Sequence, residues 1–95
     1  MTEPELPTGL APKGSSPTLT ADNIPDKLCA RHALAAGKWG ILQLLEGRVY
    51  FVDLASGEEQ HLTAPAQRTI APELPHKLRL DGPLTVRIDF FTAVD

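Results

Sequence analysis

The sequence predicts an all-β protein, a sandwich or small barrel. Three observations carry that reading. From Lys27 onward the chain consists of short apolar runs separated by Gly, Pro, Asp and Ser, as in "ASGEE" and "LDGP". Within those runs polar and apolar residues alternate with the period of two that a strand requires. And 95 residues suffice for one small domain, which should bury roughly 60–65% of its unfolded surface around a single core.

The elements follow in order. Residues 1–25 hold five of the nine prolines, mixed with Thr, Ser and Gly, and by composition form an irregular N-terminal arm ahead of a barrel over 26–93. The 26–36 segment, in "DKLCARHALAAG" (26–37), has two readings. Its alanines, an Asp26 N-cap and a Gly37 stop suit a short helix. Period-two alternation suits a strand with Leu28, Ala30, His32 and Leu34 on one face. "ILQLLE" (41–46) and "RVYFVDL" (48–54) are strands flanking Gly47. "PHKLRL" (75–80) and "LTVRIDFF" (84–91) flank Asp81-Gly82-Pro83, which has the composition of a hairpin turn. "TIAP" before them is extended, because residues preceding proline avoid the helical region.

Composition narrows function. A net charge of −3, with 22% charged residues, offers no electrostatic case for binding nucleic acid or an anionic membrane. No apolar run approaches the ~20 residues of a membrane span, and the acidic "MTEPELPTGL" lacks the basic start of a signal peptide, so a cytoplasmic location is expected. The single cysteine, Cys29, excludes an internal disulfide or a Cys-rich metal site. No nucleophile elbow, phosphate loop or acid pair is present.

Alternation then picks out polar residues on core-facing positions. Gln43 marks the outward face of "ILQLLE", which turns Leu42, Leu44 and Glu46 inward. Lys77 and Arg79 mark the outward face of "PHKLRL", which turns His76, Leu78 and Leu80 inward. If 27–34 is a strand, His32 faces inward as well. Buried polar groups are paired, hydrogen-bonded or metal-bound, and two histidines with a carboxylate are a frequent set for a divalent ion such as Zn, Fe, Ni or Mn. The competing reading is plain packing, with each histidine bonded to a backbone carbonyl and Glu46 solvated beside its turn. Trp39, between Gly37 and Gly40, is a candidate to line a cavity with the core-facing Leu44 and Leu78. His61, in "EEQHLT", reads as a surface residue. Patterning turns Asp89 outward, beside Arg87.

The stretches "RHALAAGKWGILQLLEGRVYF", "IAPELPH" and "RIDFF" together resemble the small single-domain cupins of the TehB/YeaR-like family, associated by name with tellurite resistance. The resemblance rests on His32, Ala36, Gly37, Trp39, Gly40, Leu45, Glu46, Gly47, Pro72, Glu73, Pro75, His76, Asp89 and Phe90 in that order, and extends through "LP", "SSPT" and "IP" of the arm to cover about residues 6 to 93. It implies a double-stranded β-helix, the cupin jelly roll, with the arm packed on it and with 26–36 as a strand. It also implies a divalent-metal pocket carried by His32, Glu46 and His76, with Asp89 as a fourth member. The chain departs from the wider cupin pattern at Gly40, where that pattern has its metal-binding Glu. Three functions are compatible with these features: a metal-dependent protein of metalloid or other chemical stress, a non-catalytic barrel binding or sensing a small molecule or oxyanion, and a barrel whose arm and edge strands make a homodimer.

Overall fold

Two long strands carry the architecture. The computed structural model, which describes residues 4–93, contains β1 (Leu10–Ser15), β2 (Leu19–Thr20), a 3₁₀ turn (Asp26–Cys29), β3 (Trp39–Asp53), β4 (Glu58–Thr63), β5 (Ala66–Ile70) and β6 (His76–Ala93). They form one antiparallel sheet in the order β1-β6-β3-β4, with β2 on β6 and β5 on β3. The sheet is all-antiparallel and stays open. Among the described residues no helix is long and apolar enough to cross a membrane.

β3 and β6 each run through a position where the sequence suggested an end. β3 does not stop at Gly47. Leu44 pairs with Val86 and Glu46 with Thr85, so Leu45 is an extra residue in the ladder, a β-bulge. Three residues later Val49 pairs with Leu80 while Gly47 pairs with Leu84, so Asp81, Gly82 and Pro83 of β6 loop out opposite Arg48. The expected hairpin turn at 81–83 is therefore a bulge inside one strand. The residues do interrupt the ladder, since Pro83 has no N–H to donate and Gly82 adopts φ 105°, but they do not reverse the chain. What no local signal revealed is that the chain continues in the same direction past it.

The bend repeats across the sheet. The first half of β3 (40–44) pairs with β5 and the second half (48–53) with β4, and the junction between those two strands, at Ala64, donates its N–H to Gly47 O at 2.9 Å. Gly47 can sit there only as glycine. Its φ is +80°, and a Cβ would fall 2.9 Å from Leu84 Cα and 3.0 Å from Pro83 C. Bending at this line wraps the two half-sheets around Leu42, Leu44, Val49, Phe51, Leu62, Leu78, Leu84 and Val86, all buried.

Three further expectations change. The 26–36 segment is neither the strand that the resemblance implied nor a regular helix. Pro25 starts a single 3₁₀ turn, Leu28 and Leu34 pack against the core, and His32 makes an isolated bridge to His76. "EEQHLT", given no element by the sequence, is strand β4, recruited by pairing with the second half of β3. The arm sequence, read from composition as irregular, pairs Leu10–Ser15 and Leu19–Thr20 along β6, and Leu19 reaches the core.

Candidate functional site

The bridge between His32 and His76 is where polar chemistry enters the interior. His32 N–H donates to His76 O at 3.0 Å and His76 N–H to His32 O at 2.9 Å, which fixes the two backbones side by side. The imidazoles meet edge to face, with ring centroids 4.2 Å apart. Each ring is tied in the same way. His32 Nδ1 lies 2.9 Å from Ala30 O and His76 Nδ1 lies 3.0 Å from Leu74 O, and because a carbonyl only accepts, Nδ1 of each is the protonated nitrogen. The remaining nitrogen, Nε2, has no protein partner among the described residues on either ring.

His76 is 4% exposed and stacks at 5.4 Å on Phe51. Burial pushes its pKa below the ordinary histidine value of 6.5, with the neighbouring His32 and Arg68 acting in the same direction, and with its bond to Leu74 O and the Asp53 carboxylate opposing. His76 is thus neutral at pH 7. Beside it lies a cavity of about 20 Å³, room for one water-sized group. Phe51, Asp53, Arg68, Leu74 and His76 form its wall, and Pro4 of the N-terminal segment reaches it from outside the sheet.

Arg68 is the residue that patterning did not find. It is 2% exposed, on β5 opposite Leu42, and its guanidinium lies 4.6 Å over the Phe51 ring. Its Nε donates to Thr69 O at 3.2 Å and an Nη to Gln60 Oε1 at 2.8 Å. Such bonds are what a buried cation requires. The signal was available as an arginine within "AQRTI", a run otherwise suited to a strand, but that run had not been assigned one. Asp53, paired in register with His76, uses Oδ1 to accept from the N–H groups of Ala55 (2.9 Å) and Ser56 (3.2 Å), holding the β3–β4 turn.

The other sequence-derived site residues lie elsewhere. Glu46 is exposed. The bulge at Leu45 breaks the period-two count that placed Glu46 inward with Leu42 and Leu44, and Glu46 instead accepts a hydrogen bond from Thr85 Oγ1 at 3.1 Å. Asp89 faces outward, as patterning indicated. It binds Arg87 Nε at 2.8 Å and Ser15 Oγ at 2.7 Å, and this pairing with Arg87 holds its carboxyl below the usual carboxylate range. Trp39 lies on the opposite face of β3 from Leu42 and Leu44, paired in register with Phe91. Leu44 and Leu78 are core residues, and none of these three lines the His76 cavity. Gly40 is buried, with Leu34 Cδ1 3.2 Å from where its Cβ would stand. Leu34 fills the space that a longer side chain at 40 would need.

The fit of a divalent ion to His32, Glu46, His76 and Asp89 is therefore poor. The fold brings the two histidines together and leaves both carboxylates on outer surfaces. Among the described residues no three of His, Cys, Asp or Glu are placed to share an ion, and the nearest added charge to His76 on β5 is the cation of Arg68.

Comparison with known proteins gives a consistent picture of kinship. The sequence profile of the TehB-like domain matches residues 14–88. The crystal structure of TehB from Haemophilus influenzae superposes with a TM-score of 0.80 at 25% identity, over 90% of this chain and 32% of that one, so the chain spans about a third of the length of TehB. A crystal structure of a protein from E. coli (strain K12) superposes with a TM-score of 0.84 over 96% of this chain and 98% of that one; at 20% identity that likeness concerns the fold alone. No curated protein matches in sequence.

Proposed function

The chain belongs to the TehB-like family, and on that premise we propose that it is a cupin-like binding module that holds a small polar ligand at the His76 cavity. One observation carries the reading. His76, 4% exposed in the wall of a cavity, has one ring nitrogen tied to a carbonyl and the other without a partner among the described residues. Among the described residues no buried side-chain nitrogen or oxygen lacks a partner, so this unpartnered Nε2 still meets open space, where a small ligand can reach it. The second histidine, His32, is locked against it by reciprocal backbone bonds and by its own Nδ1 contact, which keeps both rings in place before any ligand binds. The jelly-roll reading of the sheet draws support from the shared bend of β3 and β6 around one core.

A thermal-shift screen tests this. Stabilisation by small oxyacids or hydroxylic compounds, lost in His76→Ala, is the expected result. Stabilisation by divalent metals alone, with a 1:1 metal content, replaces the reading with a metal centre.

A further inference from the structure

The identity of the atoms around the cavity specifies what the ligand must bring, given the reading of His76 as a binding residue. His76 Nδ1 carries the ring proton because its partner, Leu74 O, can only accept. In the neutral ring Nε2 is then a lone pair, an acceptor to which no described residue donates. Asp53, also in the wall, is a carboxylate and a second acceptor. Arg68 contributes a positive charge from the floor, over Phe51. The wall therefore combines one cation with two acceptors, in a space of about 20 Å³ that admits one hydroxyl-sized group.

We infer that the cavity takes the O–H of a small oxyacid that keeps at least one proton at neutral pH, and discriminates against oxyanions that have lost all of theirs. The ligand's O–H donates to His76 Nε2, and its remaining oxygens stay at the mouth near Leu74 and Pro75 or toward the Arg68 charge. A fully deprotonated oxyanion of the same shape turns an oxygen lone pair toward the lone pair of Nε2 and toward the Asp53 carboxylate. It has no donor to offer either, and its binding would shut both acceptors away from water without a partner. Sites built to pair with a substrate hydroxyl reject the analogue lacking it for this reason. Charge preference is set by two opposed groups, the Arg68 cation favouring a ligand that keeps negative charge and the Asp53 carboxylate opposing it. Neutral acids and anions that keep a proton share the required O–H, and the experiment separates them.

Isothermal titration at pH about 7.5, where an ordinary histidine is neutral, uses three probes: inorganic phosphate, which retains a proton; boric acid, which is neutral and hydroxylic; and sulfate, which matches phosphate in shape and carries no proton. Phosphate or boric acid binding at least about tenfold tighter than sulfate, equal to about 1.4 kcal/mol, is the expected result, and whichever of the two binds separates an anionic from a neutral ligand. Long-range ¹H–¹⁵N NMR of the imidazoles accompanies it on the unaltered protein, because His76→Ala opens a hole in the core. The His76 ring should show the Nδ1–H tautomer, with its Nε2 resonance moving on addition of the binding probe. Sulfate binding as tightly as the protonated probes, or an Nε2–H tautomer at His76, overturns the requirement for a proton. Sulfate binding that still moves the His76 Nε2 resonance leaves the binding site itself intact, whereas silence of all three probes overturns both the ligand class and the site.

Discussion

Replacing Gly47 by alanine should damage this fold more than any exposed substitution of similar size. Two costs add. At φ +80° an L-residue pays roughly 1–2 kcal/mol that glycine does not. The second cost is steric. The new Cβ would overlap Pro83 O and approach Leu84 Cα at 2.9 Å, and both are backbone atoms that no rotamer change can move. Relief requires β6 to retreat at Pro83–Leu84, which drags the buried Leu84 out of its packing; overpacking of this kind costs about 1–3 kcal/mol. The sum is about 2–5 kcal/mol, against a typical domain stability of about 5–15 kcal/mol. Gly57, in the β3–β4 turn, supplies the control. It has the same φ of +80° with nothing within 4 Å of a Cβ, so Gly57→Ala carries the conformational cost alone. Urea unfolding followed by the fluorescence of Trp39, the only tryptophan, measures both. Gly47→Ala should lose at least about 1 kcal/mol more than Gly57→Ala, or about 4–8 °C in Tm. Equal losses would refute the close approach at the bulge.

Three other outcomes follow from the same geometry. Leu44→Ala should cost about 2–5 kcal/mol in urea unfolding, while Leu45→Ala, at the 42%-exposed bulge position next to it, should change stability by less than about 0.5 kcal/mol; equal effects would mean that Leu45 is not the extra residue. Glu46→Gln should leave both metal content and ligand response unchanged, because Glu46 is exposed and bonded to Thr85; a loss of either would bring Glu46 back to the site. Stability should fall as pH drops below about 6.5, since the unfolded chain takes up a proton at His76 at the ordinary pKa while the folded chain, whose pKa is lower, resists it. The stability is fully present above that value and is lost towards the folded pKa; His76→Gln should flatten this slope in thermal melts taken across the range.

The way the site fails and succeeds as a sequence reading has one cause. Alternation placed His76 correctly because nothing interrupts β6 between His76 and Leu80. It misplaced Glu46 because a single bulged residue, Leu45, shifts the count, and a bulge leaves no mark in the order of apolar residues. Arg68 escaped notice because its strand, β5, exists only by pairing with the first half of β3. The family resemblance was legible in order and spacing, and the family match agrees with it, yet it carried over carboxylates that this fold keeps on its surface.

By itself the sequence determined the all-β class, the breaks at Gly47 and at Asp81-Gly82-Pro83, the outward face of Asp89 and the inward face of His76, since these depend on φ preferences and on alternation within a few residues. Only the tertiary structure decided that both breaks are bulges in continuous strands, that His32 meets His76 without a strand of its own, and that Arg68 closes the cavity beside them. Those facts depend on which distant segments pair, and pairing is set by the core they enclose together.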